Sequence, residues 1–314
     1  MKTWFKKLGP LIGLVFVFSL FAALRWEKFT RPDNLEIMLL QTTVVGMAAL
    51  GMTMVIISGG IDLSVGSVIA LSTVTIALLL NQGVPPLLAA LGGVLAGSLC
   101  GACIGTLITR LKLTPFIVTL GMWGALRGAA KGLAGEQMVV APGTWLNNLL
   151  RTLDSGNRWM ILPPGVWMLL VLALLVAGFL RYMRVGRHIF AIGSNEQTAH
   201  LCGVHVARTK VLVYILGSTF AGLAGVLQYS YLTVGDPTTA TGAELDVIAA
   251  VIIGGASLAG GEGTVLGSLT GALIMTVVAN GCTKMEFPNW VQEIVTGGII
   301  VAAVALDRFR QRRS

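Results

Sequence analysis

The chain has 314 residues, of which 55% are hydrophobic and only 11% charged, with mean hydropathy +0.82 and formal net charge +8. Average soluble domains carry about 25% charged residues, so this composition excludes a soluble fold with ordinary polar faces. The basic excess does not imply nucleic acid, because Lys and Arg flank membrane spans on the cytoplasmic side and set their orientation.

Apolar runs of spanning length fall at about 8–24, 37–58, 65–80, 87–109, 115–133, 161–180, 211–232, 244–258, 264–280 and 290–306. The expected fold is therefore all-α: one polytopic transmembrane helical bundle over 1–314 with about ten spans in the lipid bilayer. A helical span needs about 20 residues, so the shorter runs are expected to be tilted, broken or only partly crossing. The first run follows Lys2, Lys6 and Lys7 and resembles a signal peptide, but the many spans behind it favour an uncleaved first helix.

Charge placement sets the expected orientation. With the N-terminus inside, Lys2, Lys6, Lys7, Arg110, Lys112, Arg181, Arg184, Arg187, Arg208, Lys210 and Arg308, Arg310, Arg312 and Arg313 all lie inside. An even number of spans with both termini cytoplasmic satisfies the positive-inside rule.

Three glycine rows recur at four-residue spacing: Gly93, Gly97, Gly101, Gly105; Gly124, Gly128, Gly132; and Gly263, Gly267, Gly271. Each is expected to form a close helix–helix contact. No G-x-x-x-x-G-K-[ST] occurs, so the chain has no P-loop of its own. Cys100 and Cys103 form a C-x-x-C pair inside an apolar run and read as small packing residues.

The run from Val55 to Ser67 echoes that from Val251 to Gly263. Both break into glycine and small polar residues and then resume, as in pathways built from broken helices near the bilayer midplane. Within the first break, Gly60, Asp62 and Ser64 are candidate pathway residues. Asp62 or Ser64 can instead cap the helix that restarts, and that local role is preferred; the two are compatible if the break lines a cavity. Arg127 and Lys131 are expected to snorkel outward as interfacial anchors, with lining of a polar path as the alternative. Glu244 and Asp246 open the eighth run, where acids favour a helix N-terminus.

The segment from about 181 to 210 is the largest inside loop. Ser194 with Gln197 has the capping-box pattern, predicting a short helix from about Asn195 that stops near Gly203. Such a helix has no core of its own and would suit a partner protein as well as a solvated loop. His188, His200 and His205 lie here, but their spacing matches no known metal site, and no catalytic constellation appears anywhere.

Four stretches together resemble the sugar permeases of bacterial ABC importers, the ribose, xylose, arabinose and galactose type. They are GMTMVIISGGIDLSVGSVIAL, TPFIVTLGMWGALRG, GRHIFAIGSNEQTAHLCGV and ELDVIAAVIIGGASLAGGEGTVLGSL, in the family's order over roughly 40 to 305. The resemblance implies a permease in the bacterial inner membrane, working by alternating access as a homodimer or heterodimer, and not itself an enzyme. Its implied partners are a second permease subunit, a cytoplasmic ATPase that uses ATP and Mg, and a periplasmic sugar-binding protein. Residues Ser194, Asn195, Glu196, Gln197, Ala199 and Gly203 would then form the coupling helix against the ATPase. Other solutes of the same superfamily (a branched-chain amino acid, a nucleoside, a furanone signal) and an ion-driven secondary transporter are the competing readings.

Overall fold

The computed structural model describes residues 2–153 and 156–311. Helices α1 (Lys2–Leu24), α2 (Trp26–Phe29), α3 (Pro32–Ile57), α4 (Val65–Asn81), α5 (Pro86–Arg110) and α6 (Pro115–Ala134) form the first half. Helices α7 (Pro164–Tyr182), α8 (Arg184–Ser194), α9 (Glu196–Leu201), α10 (Val206–Leu232), α11 (Ala243–Ile253), α12 (Val265–Lys284) and α13 (Asn289–Gln311) complete it. Four of these start on a proline, whose fixed φ and missing N–H suit the first helical position.

Every apolar run lies on a helix. Among the described residues, α3, α5, α7, α10 and α12 are long and apolar enough to cross a membrane, and α1, α4 and α13 carry shorter apolar stretches. Helix α11 has 11 residues. At 1.5 Å per residue it reaches about 16 Å, roughly half of a hydrocarbon core of about 30 Å. The rest of that passage is non-helical chain, residues 236–242, which runs beside α4: Thr73 Oγ1 contacts the backbone of Asp236, and Gly66 abuts the Ala240 carbonyl.

Contacts gather the connections at two ends. At the first end Lys28 pairs with Glu286 at 2.8 Å, Asn81 donates to the Val140 carbonyl, and the Leu153 amide donates to Glu36. There too the two-residue strands β1 (Val139–Val140) and β2 (Val234–Gly235) pair antiparallel. At the second end lie 58–64, 111–114, 183–205 and 254–264, tied by the Gly261 amide donating to the Ile57 carbonyl at 2.9 Å. Arg110, Lys112, Arg181, Arg184, Arg187, Arg208 and Lys210 all belong to this second end.

At the centre α10 packs against both α5 and α3, and α3 packs in turn against α12. The first glycine row makes this possible: a methyl at Gly97 would sit 2.6 Å from the Ser218 carbonyl, one at Gly105 2.8 Å from Val211 Cα, and one at Gly101 would overlap the Tyr214 carbonyl. In the third row Gly267 and Gly271 lie on the carbonyls of Gly254 and Ala250 in the same way. The second row differs from expectation. Gly124, Gly128 and Gly132 meet nothing within 4 Å, because α6 lies at the margin and turns that face away from the bundle.

Several of the polar groups that enter the core pair with one another. Asn34 and Asn280 exchange amide hydrogen bonds at 2.9 and 3.0 Å, and Thr53 donates to Ser268 at 2.7 Å. Replacing Asn280 with alanine leaves the buried Asn34 short of one partner. The expected cost is about 1–2 kcal/mol, the range of interhelical hydrogen bonds in membranes. It is checked by melting the purified protein in detergent, where Asn280→Ala should melt several degrees below wild type.

Candidate translocation site and coupling segment

Both glycine breaks are built the same way. Helix α3 closes with the Gly60 amide donating to Val55 and the Gly59 amide to Ile56, with Gly59 at φ +81°. Helix α11 closes with the Ala256 amide donating to Val251 and the Gly255 amide to Ile252, with Gly255 at φ +95°. These are paired Schellman closures, which need a left-handed residue that glycine supplies at no steric cost. The matching positions are those of the sequence echo, so the echo is a structural one. Both breaks, however, lie at the end of the bundle that holds α8 and not near the midplane as expected, because α3 completes 26 residues before it breaks. The breaks also touch each other through the Gly261–Ile57 hydrogen bond.

Between α3 and α4, Asp62 is 1% exposed. Its Oδ1 accepts from the Ser64 amide at 2.8 Å and the Ser64 hydroxyl at 2.6 Å. This fixes the turn into α4. Ser64 is the N-cap residue, but its side chain accepts no helical N–H. Asp62 Oδ2 has no partner, nor has the buried hydroxyl of Tyr214, which lies over Gly60. Unpaired buried oxygens of this kind are costly and mark a place where a polar group can be received.

The same turn recurs where the eighth passage is unwound. Asp236 Oδ1 accepts from the Thr238 amide at 2.8 Å and the Thr238 hydroxyl at 2.7 Å. Asp62-Leu-Ser64 and Asp236-Pro-Thr238 thus both stand in non-helical chain that leads into a helix, α4 and α11 respectively.

Arg127 corrects the sequence expectation. It does not snorkel outward: it is 8% exposed, and its Nη1 donates to the carbonyls of Pro237 at 3.0 Å and Thr239 at 2.6 Å. An unwound segment in an apolar bundle exposes carbonyls that no helix satisfies, and a guanidinium supplies several donors at once. Glu244 is buried beside it, with Oε1 accepting from Trp123 Nε1 at 3.1 Å and Oε2 against Gly66. Lys131, one turn on, is exposed as expected. Glu244 and Asp246 both fall in the first turn of α11, and Asp246 is half-buried. The first turn of α4 therefore stands between the two groups, Gly60–Asp62–Ser64 before it and Arg127–Glu244 beside Gly66.

The segment from 181 to 210 is a helix pair rather than a loop. Helix α8 has a strongly one-sided apolar face and buries Ile189 and Ile192 beneath the bundle. The predicted capping box is corrected. Ser194 ends α8, and the N-cap is Asn195, whose side chain accepts from the Thr198 amide at 2.8 Å. Helix α9 then runs to Leu201, and Gly203 at φ +85° turns the chain, as the sequence suggested. Glu196 reaches Lys210 at 2.7 Å, while Gln197, His200 and Leu201 point outward, Leu201 being 85% exposed. Ala199 faces inward, packed with Ile192 and Val206.

Gly193 joins the two regions. A methyl there would overlap the Ile57 carbonyl and sit 2.5 Å from the Gly261 amide, while Gly261 itself backs onto Ser194. The end of α8 is thus wedged between both glycine breaks, one residue before the cap of α9. Sequence reasoning missed Gly193, Tyr214, Trp123 and Asp236. The repeated Asp-x-Ser/Thr was the available signal for the last.

Residues 34–304 match the family model for the branched-chain amino acid transport system permease component. The chain is 36% identical over 310 residues to the ribose import permease protein RbsC of Escherichia coli K12, covering 99% of this chain and 96% of that one. The Bacillus subtilis ribose import permease is 37% identical over 303 residues, with 96% and 93% covered. The L-arabinose ABC transporter permease AraH of Azospirillum brasilense is 36% identical over 308 residues, with 96% and 89% covered. No solved structure matches the chain. Similarity of this extent along an all-helical, multi-pass membrane chain places it in one group: it belongs to the permease family of ABC transport systems.

Proposed function

We propose that this chain is the permease subunit of an ATP-driven importer for a monosaccharide, a ribose-like pentose or a related sugar. The observation that carries the reading is near-full-length similarity to permeases named for ribose and arabinose import. The proposed setting is the bacterial inner membrane, with both termini cytoplasmic. That orientation is supported by the basic residues gathered at the end that holds α8 and α9.

The partners are a second permease subunit, a cytoplasmic ATPase and a periplasmic sugar-binding protein. ATP and Mg are used by the ATPase, since this chain has no P-loop. Helix α9 is the segment proposed to enter the ATPase, presenting Glu196, Gln197, His200 and Leu201. Closure of an ATPase pair would move α9, and Gly193 would pass that movement to both breaks. Tight glycine contacts between α5 and α10 permit helices to slide, which alternating access requires.

Leu201 is the cleanest probe of docking, since it is exposed and holds nothing inside the chain. Ala199 is unsuitable, because a bulky side chain there would disrupt its contacts with Ile192 and Val206. In a host deleted for its own sugar uptake, the complete transporter should restore growth on the transported monosaccharide. Leu201→Asp should abolish that growth and the copurification of the ATPase, with normal membrane levels of the permease. Unchanged growth and copurification in this variant would contradict the docking role.

A further inference from the structure

One cavity lies where α3, α4, α10 and α11 meet, beside the unwound segment before α11. It has a volume of about 210 Å³ and is lined by Gln41, Ile69, Gln228, Tyr231, Ala240 and Val247, among others. Pockets for drug-sized ligands run to about 300–1,000 Å³, so this one suits a smaller solute.

Its chemistry is specific in two ways. First, no side chain lining it is charged. A zwitterion such as an amino acid would have to leave a carboxylate and an ammonium unpaired there, at a cost of several kcal/mol for each ion. Second, its polar groups are neutral and uncommitted. Gln228 Nε2 donates to Thr239 Oγ1 at 2.8 Å, which holds the amide in place and leaves its carbonyl oxygen without a protein partner. Among the described residues, the Gln41 amide and the Tyr231 hydroxyl make no hydrogen bond. The remaining wall is Val44, Val45, Ala48 and Ile69, an apolar surface against which ring C–H groups can lie.

The position is also suited to transit. Thr239, which anchors Gln228, is the residue whose carbonyl Arg127 holds. The cavity is thus mechanically linked to the non-helical chain, the kind of place where membrane transporters receive solute. We propose that this cavity is a binding station for an uncharged polyhydroxylated solute, with Gln41 and Gln228 as its specificity-determining residues. The assignment rests on the sugar-permease reading and adds residues to it.

The test uses the complete transporter in proteoliposomes, with uptake of labelled D-ribose, L-arabinose, D-allose and L-leucine measured with and without ATP. Wild type should carry one or more monosaccharides and no leucine. Gln41→Leu and Gln228→Leu should each lower that uptake about tenfold or more, the scale of losing buried hydrogen bonds to substrate hydroxyls. Gln41→Asn, which shortens the reach of the amide, should change the ranking among the sugars. Because Gln41 bonds nothing in the chain, Gln41→Leu should melt in detergent at the wild-type temperature, separating loss of binding from loss of fold. Monosaccharide uptake by wild type with unchanged uptake in either leucine variant would overturn the cavity assignment alone. Leucine uptake by wild type would overturn the uncharged solute, and no ATP-driven monosaccharide uptake at all would overturn the proposed function and this inference together.

Discussion

Gly193→Ala should abolish uptake while leaving the protein in the membrane. The added methyl would enter the space held by the Ile57 carbonyl and the Gly261 amide, and neither is a side-chain end that can swing aside. Overpacking of this kind costs about 1–3 kcal/mol, equivalent to roughly ten- to hundredfold in an equilibrium between two conformations. The junction would relax by separating α8 from the breaks, so a coupled movement of α9 would no longer reach α3 and α11. Gly178→Ala on α7 is the control, since a methyl there meets nothing within 4 Å. Uptake should fall at least tenfold in the first variant and remain at wild-type level in the second. Equal uptake in both would show that the junction transmits nothing.

Arg127→Gln should be the most destabilising single change near the site. It removes the donor to the Pro237 and Thr239 carbonyls and the cation beside Glu244 and Asp236. Breaking a buried charge arrangement by removing one member costs about 3–5 kcal/mol, because the remaining charge is left uncompensated. Thermal unfolding in detergent should show a drop of many degrees. The double variant Arg127→Gln, Glu244→Gln should recover part of it, since the orphaned carboxylate is then neutral. A double variant less stable than Arg127→Gln by the full effect of Glu244→Gln would show that the two groups do not interact.

Much of the fold was legible because spans are long, apolar and punctuated. Pro32, Pro86, Pro115 and Pro164 mark helix starts, and the ten runs each became a helix. The glycine rows at 93–105 and 263–271 were legible as contacts, since small residues at that spacing leave room only for a neighbouring backbone. The row at 124–132 shows the limit: spacing identifies a smooth face, not whether this chain supplies its neighbour. Arg127 was misread for a related reason. Snorkelling is the default for a cation near a span end, and the carbonyls that draw it inward lie more than a hundred residues later, in a stretch whose unwinding the apolar pattern does not report. The capping residue beside Ser194 failed more simply, since Asn195 is as good a cap and α8 had already consumed the serine. Tyr214 and Trp123 gave no signal, being aromatic residues on apolar helices that acquire meaning only from Gly60 and Glu244 beside them.

Monosaccharide transport by this permease is proposed to run on ATP hydrolysed by another chain. It is tested most directly by uptake of labelled D-ribose and related monosaccharides into proteoliposomes holding the permease, its ATPase and its binding protein. Uptake should require all three components and ATP, and should persist when ion gradients are collapsed. Uptake by the permease alone, driven by a proton or sodium gradient and indifferent to ATP, would contradict it.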